Sequence, residues 1–120
     1  MIDFDEMTAD YLAVWNEDEA DARLAAAERL FAADVAYTDP MGDVRGVNEL
    51  AAVVAGVQAQ FPGWRFRRSG PVDGHGSQVR FGWELGPEDG DAPIAGFDVA
   101  VLNEEGRIRQ VLGFLDRVPG

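Results

Sequence analysis

The chain changes its hydrophobic rhythm once, near Phe61. Before that point apolar residues recur at spacings of three and four; after it they alternate. Phe4, Met7, Thr8, Tyr11, Leu12 and Trp15 fall on one stripe, which predicts a first helix over about residues 5–15. Asp3, Asp5 and Glu6 sit at its amino end, where negative charge complements the helix dipole. A polar break over 16–21 leads into an alanine-rich second helix, from about 19 to 31 or 32, anchored by Leu24, Leu30 and Phe31. Residues 35–38 read as a short extended piece. Asp39-Pro40-Met41-Gly42 reads as a turn, because proline biases the residue before it away from helix. Gly46 then precedes a third helix over 47–60, whose apolar face is Leu50, Val53, Val54 and Val57.

Pro62-Gly63 breaks the helical period. Trp64, Phe66, Arg68 and Val72 alternate with polar positions, as do Val79, Phe81, Trp83 and Leu85. Together with 94–102 and 107–115 these predict four long strands, with turns at 73–76, 86–91 and 103–106. The tail 116–120 is expected to fray. Three helices followed by a run of strands is an α+β pattern: a curved, cone-shaped antiparallel sheet wrapped around three N-terminal helices, in a single domain over 1–120. The strand 94–102 has two apolar faces. One carries Phe97, Val99 and Val101; the other carries Gly96, Asp98, Ala100 and Leu102. Helices cover one face of such a sheet, so the other predicts a homodimer packed sheet to sheet.

Composition narrows the function. The chain has 120 residues, enough for a core without staples, and no cysteine, which excludes disulfides and a thiol nucleophile. The net charge of −12 argues against nucleic acid and anionic membranes, and residues 1–21 carry eight acids and no base. All ten basic residues are arginine, so a lysine Schiff base is excluded. Neither a signal peptide nor a membrane span is visible, and a cytoplasmic protein is the expectation.

Three residues stand out as chemistry. Asp98 is a carboxylate in mid-strand between small neighbours, Gly96 and Ala100, that leave room for a ligand; it serves either a site or an ion pair with Arg80 or Arg109. Asp39 serves either a site or its own turn. Tyr11 is either core or a buried hydroxyl donor. The single histidine, His75, lies between glycines at a hairpin tip and reads as exposed. No metal-ligand spacing is present, and Arg65, Arg67 and Arg68 read as a solvated or ion-pairing edge.

The chain resembles the nuclear transport factor two-like superfamily, in its SnoaL-like and ketosteroid-isomerase-like branches. The resemblance rests on Tyr11 and Trp15 in the first helix, and on residues 30–35 entering Tyr37-Thr38-Asp39-Pro40. It also rests on Arg45-Gly46 and on Asp98-Val99 followed by Gly106-Arg107-Ile108. It implies a dimeric cone with a deep pocket. For ketosteroid isomerases it implies enolisation of an apolar carbonyl compound: Asp39 as base, with Tyr11 and a protonated Asp98 donating to the enolate oxygen. Trp15, Phe66, Phe81, Trp83, Ala100 and Leu102 would line the pocket, and the chemistry needs no cofactor or metal. SnoaL-like polyketide cyclases would imply a histidine–aspartate pair. Limonene-epoxide-hydrolase-like members would imply an aspartate–arginine–aspartate set, part of which Arg80 and Asp98 could supply. A non-catalytic ligand-binding or protein-interaction module is the reading from outside enzymology.

Overall fold

The computed structural model describes residues 2–119. Helix α1 spans Phe4–Asn16 and is capped by Asp3, whose carboxylate accepts from the Glu6 backbone N–H at 3.0 Å. Helix α2, Ala20–Leu30, is capped in the same way by Glu19, which accepts from Ala22. Helix α3, Val47–Gln60, starts at Gly46, whose φ of 90° is open to glycine and strained for other residues. Of the stripe predicted for α1, Met7, Thr8, Tyr11, Leu12 and Trp15 are buried and Phe4 is half-buried, and Val14, outside that stripe, is buried as well.

Six strands form one curved, unclosed sheet in the order β2-β1-β6-β5-β4-β3. They are β1 (Phe31–Asp39), β2 (Gly42–Arg45), β3 (Trp64–His75), β4 (Gln78–Pro87), β5 (Ile94–Leu102) and β6 (Ile108–Arg117). The sheet is antiparallel from β6 through β3 and between β1 and β2, while β1 and β6 run parallel, so it is mixed. The helices fill its concave side, which gives the expected α+β cone.

Several boundaries differ from the sequence reading, and the predicted turns at 73–76 and 86–91 are shortened because β3 runs to His75 and β4 to Pro87. Phe31 opens β1 rather than closing α2, because Phe31 pairs with Ile108 and the chain then bulges before Ala36 meets Gln110. Strand β2 folds back from the Asp39 turn onto β1, placing Tyr37 opposite Val44. Strand β6 runs on through Arg117, whose guanidinium donates to the Ala92 carbonyl at 2.6 Å, so residues 116 and 117 belong to the sheet; Gly120 lies outside the described residues.

Along β5 burial alternates strictly: Ile94, Gly96, Asp98, Ala100 and Leu102 are buried, and the residues between them are half-exposed. On the outer face Phe97 stacks on Phe114 at 4.9 Å, and Phe114 is 47 % exposed.

Candidate active site

The concave face is not filled evenly. Toward the Leu102 end Phe31, Val79, Phe81, Ala100, Ile108 and Val111 pack with almost no exposure. Toward the Ile94 end the helices leave a cavity of about 230 Å³ between α1, α3 and the sheet. Tyr11, Trp15, Phe66 and Trp83 line it, together with Tyr37 and both aspartates, Asp39 and Asp98. Of the pocket walls expected from the sequence, Trp15, Phe66 and Trp83 line this cavity and three lie elsewhere. Phe81, Ala100 and Leu102 do not line the cavity. Phe81 is consumed by an edge-on contact with the Tyr11 ring at 5.0 Å, and Ala100 and Leu102 sit further along β5, at the filled end.

Asp98 points inward and is 4 % exposed. The Tyr11 hydroxyl donates to its Oδ2 at 2.6 Å, and the Trp83 indole N–H donates to its Oδ1 at 3.2 Å. Neither arginine weighed as an ion-pair partner is near: Arg80 is exposed on β4 opposite Val99, and Arg109 is exposed on β6. Burial without a compensating cation pushes the carboxyl up to about 6; the Tyr11 and Trp83 hydrogen bonds oppose that rise, and the charge of Asp39 adds to it. Burial and the same carboxylate drive the Tyr11 hydroxyl far above its ordinary range.

Two glycines make this geometry possible. A Cβ on Gly113, the register partner of Asp98, would stand 3.0 Å from Asp98 Oδ1 and 3.1 Å from Asp39 Cβ. A Cβ on Gly96 would stand 2.8 Å from the Trp83 ring and would collide with the Phe114 carbonyl. The space the sequence suggested for a ligand beside Gly96 is thus taken by the indole that holds Asp98.

Asp39 closes β1 at the cavity rim and is half-buried. Its Oδ1 accepts the backbone N–H groups of Met41 and Gly42 at 2.8 and 3.0 Å, and its Oδ2 accepts the Tyr37 hydroxyl at 2.6 Å. It is both a turn residue and a cavity residue. Tyr37, which the sequence offered only as part of a motif, is buried, and its hydroxyl is driven far above its ordinary range by burial and by the two aspartates. Its place two residues before Asp39 on one strand face was the signal for it. Trp83 was read as a wall rather than a donor; once Phe81 is set opposite Asp98, Trp83 becomes its diagonal neighbour.

The aromatic lining is continuous. Trp15 lies 5.3 Å from Phe66 and 5.8 Å from Tyr37, and Phe66 lies 5.3 Å from Trp83. Among the described residues no arginine or histidine lines the cavity. His75 is exposed and hydrogen-bonded to Gln78 at 2.7 Å, and Arg65, Arg67 and Arg68 each pair with an acid outside the cavity. The histidine–aspartate pair and the aspartate–arginine–aspartate set are therefore not assembled here. Among the described residues, no group of three acids or histidines could hold a metal, and no helix is long and apolar enough to cross a membrane.

Among the same residues, two buried side-chain polar atoms lack a hydrogen-bond partner, Trp15 Nε1 and Arg23 Nε. Such an orphan costs about 1–3 kcal/mol. Trp15 is 6 % exposed and lines the cavity.

A bent sheet wrapped around helices is the NTF2-like or cystatin-like arrangement. An NTF2-like protein from Exiguobacterium sp. 255-15 superimposes with a TM-score of 0.72 at 18 % identity, covering 92 % of this chain and 98 % of that one. More narrowly, the chain belongs to the SnoaL-like domain family, whose profile matches residues 8–111. A SnoaL-like family protein from Agrobacterium tumefaciens str. C58, proposed to be an isomerase, is 40 % identical with a TM-score of 0.90. The match covers 94 % of this chain and 97 % of that one. A proposed polyketide cyclase from Sinorhizobium meliloti shares the fold at 13 % identity, with a TM-score of 0.71 over 90 % of this chain and 93 % of that one. No curated protein matches the chain.

Proposed function

We propose that the protein is an isomerase of small, neutral, apolar carbonyl compounds that works by enolisation, with Asp98 as the group that takes and returns the proton. The observation that carries this reading is a buried carboxyl, poised at about 6, in an aromatic cavity without a cation. A base tuned near the working pH combines a large ionised fraction with useful basicity. Asp39 was the base implied by family resemblance. Its carboxylate is instead engaged by three donors that fix the rim turn, which suits a positioning role better than proton transfer.

The chemistry balances within the site. Asp98 removes a proton from the carbon next to the carbonyl; the C–H electron pair becomes the enolate double bond and the charge moves to oxygen. Neutral Asp98 is a weaker acceptor, so the Tyr11 O–H is released toward the enolate oxygen. Asp98 then returns the proton to the same or the conjugated carbon. Two acids and no cationic residue line the cavity, so substrates bearing an acid or phosphate group are repelled and neutral ones are favoured. The relative proposed to be an isomerase supports the same class of reaction. The reading includes a homodimer formed through the Phe97–Phe114 face, which light scattering would test.

The experiment is proton exchange in heavy water. A panel of cyclic benzylic and β,γ-unsaturated ketones is followed by NMR with wild type and Asp98→Asn. Enzyme-dependent loss of the α-proton signal, or migration of the double bond, is expected with wild type and not with the variant. A folded protein that binds these ketones without exchanging any of them would leave the non-catalytic ligand-binding module as the better reading.

A further inference from the structure

The lining of the cavity grades from buried to exposed side chains, which gives it a floor and a mouth. Tyr11 and Asp98 mark the floor, at 1 % and 4 % exposure. Val57 and Phe61, where α3 ends, are half-buried, and the Phe61 ring is stacked on Trp64 at 4.8 Å. Met41 and Val118 complete the series at 82 % and 57 %. They are the two most exposed large apolar side chains among the described residues. Met41 tips the turn between β1 and β2, where its backbone N–H is held by Asp39, and Val118 directly follows β6. Beside them at the mouth the polar side chains are Asp39, engaged in its own turn, and the exposed Gln60. A lone apolar side chain on a surface needs no explanation. Two at the mouth of one cavity, continuous with its apolar wall, mark a binding surface.

A second copy of the chain is a poor occupant for that surface. Asp43 and Asp116 stand exposed two residues from Met41 and Val118, and each copy carries a net charge of −12. Pairing two mouths would set these like charges against each other. Two side chains also fall far short of the roughly 800 Å² per partner that a stable interface needs. A ligand seated in the cavity meets neither objection, because only its own outer end has to cover them. We infer that the substrate carries an apolar tail of the alkyl kind, which leaves through the mouth and lies across Met41 and Val118 while the carbonyl end sits at Asp98. This rests on the enolisation reading and deepens it. The substrate is then a neutral ketone longer than the enclosed part of the cavity, polar at its inner end and apolar at its outer end. Met41 and Val118 are specificity residues. The unbranched, adaptable Met41 side chain suits a tail without fixed shape, so the mouth ranks ligands by length.

The test compares 2-tetralone with its 6-butyl and 6-hexyl derivatives, whose chains point away from the carbonyl. Affinity and α-proton exchange are measured for wild type, for the double variant Met41→Ser/Val118→Ser, and for Ile2→Ser. Ile2 is an exposed apolar residue beside the β5–β6 turn, outside the cavity lining. In wild type, affinity should rise about twofold per methylene, half the worth of full burial because the mouth covers one side of the chain. The hexyl compound should thus be preferred over the parent by roughly fiftyfold. The preference should fall to about tenfold or less in the double variant and persist in Ile2→Ser. No gain with chain length in wild type, or a preference kept in full by the double variant, would overturn the inference. A double variant that keeps the preference but loses self-association by light scattering would overturn it in favour of a second copy at the mouth. Exchange of 2-tetralone without any preference for a tail would remove the tail alone and leave the enolisation reading intact. A tail preference that collapses in the double variant, with no ketone exchanging, would uphold the tail site and remove the enolisation reading. Both altered positions are exposed, so folding of the variant is not at stake.

Discussion

The two aspartates of the cavity each accept a tyrosine hydroxyl at 2.6 Å, and there the likeness ends. Asp39 stands at the rim, where two backbone N–H groups of its own turn complete its shell. Asp98 stands in the wall, 4 % exposed, and meets only side-chain donors from other elements. A carboxylate fed by local backbone is a fastener, whose partners are fixed by the turn it closes. A carboxylate held by α1 and β4 across the core is reachable by chemistry, because its partners can move when its charge changes. The difference lies in what surrounds the two groups rather than in the groups themselves.

The largest expected effect breaks that comparison if it falls on the wrong residue. Asp98→Asn should lower enzyme-dependent α-proton exchange by about 10²–10⁴, the usual worth of a positioned general base. Asp39→Asn should lower it by no more than about tenfold, the worth of a hydrogen bond or two. The reverse ranking, read from exchange rates of two folded variants, would return the base to the rim. In wild type, exchange per unit of enzyme should rise with pH through about 6 and then level, because the base acts when ionised.

Stability offers a second reading of the wall carboxyl, independent of turnover. Its pKa rises from 3.8 to about 6 in the fold, so between those values the folded form holds a proton that the unfolded chain has lost. The contribution is fully present below about pH 4 and is lost as pH rises through 6, an upper bound of roughly 3 kcal/mol. Asp98→Asn removes the buried charge and keeps a partner for each neighbour, its oxygen accepting from Trp83 and its amide donating to the Tyr11 oxygen, at the loss of the acceptor for the Tyr11 hydroxyl hydrogen. Urea titrations should therefore find the variant more stable than wild type at pH 8, with the gain shrinking toward zero at pH 4. The other acids are common to both proteins and cancel in the difference. A variant no more stable at pH 8 would mean the wall carboxylate is better compensated than its surroundings indicate.

How far this contrast was legible in the sequence depended on the range of the forces involved. Helix α3 matches its predicted span of 47–60 because Gly46 and Pro62-Gly63 bracket it locally. Alternation along β5 grouped Asp98 with Gly96, Ala100 and Leu102, which is the buried set. Depth along that face was not legible. Ala100 and Leu102 share it with Asp98 but lie where the helices fill the cone, and Phe81, level with Asp98, is covered by the Tyr11 ring; nothing local in a strand records how far a helix reaches over it. Strand β2 escaped notice because four residues with one half-buried valine, Val44, carry almost no period. The parallel pairing of β1 with β6 escaped because it joins residues some seventy positions apart through a bulge. Gly113 carries no local signal within the predicted strand 107–115, and only register places it against Asp98.

Gly113 sharpens the comparison because it touches both carboxylates. Gly113→Ala would insert a methyl 3.0 Å from Asp98 Oδ1 and 3.1 Å from Asp39 Cβ, forcing one of them aside. Overpacking of this kind costs about 1–3 kcal/mol. The wall side chain is held by two bonds to distant elements and the rim side chain by its own turn, so Asp98 should be the one to yield. An upfield move of the Trp83 indole N–H signal, with the Met41 and Gly42 amides unmoved, would show that. Movement of those amides instead would place the weaker anchorage at the rim.

The smallest effect expected is that of Tyr37→Phe. The substitution keeps the ring against Trp15 and deletes only the hydroxyl that donates to Asp39 Oδ2. Asp39 retains both backbone donors and lies near water at the rim, so the loss should be about 1 kcal/mol, the net worth of one hydrogen bond. Tyr37 and Asp98 also interact electrostatically, although no hydrogen bond joins them. If the rim and the wall are separate devices, the variant should leave the pH at which exchange rises unchanged. A shift of that rise by a full pH unit would make the rim tyrosine part of the apparatus that tunes Asp98, and the four side chains Tyr11, Asp98, Tyr37 and Asp39 would then titrate as one coupled set.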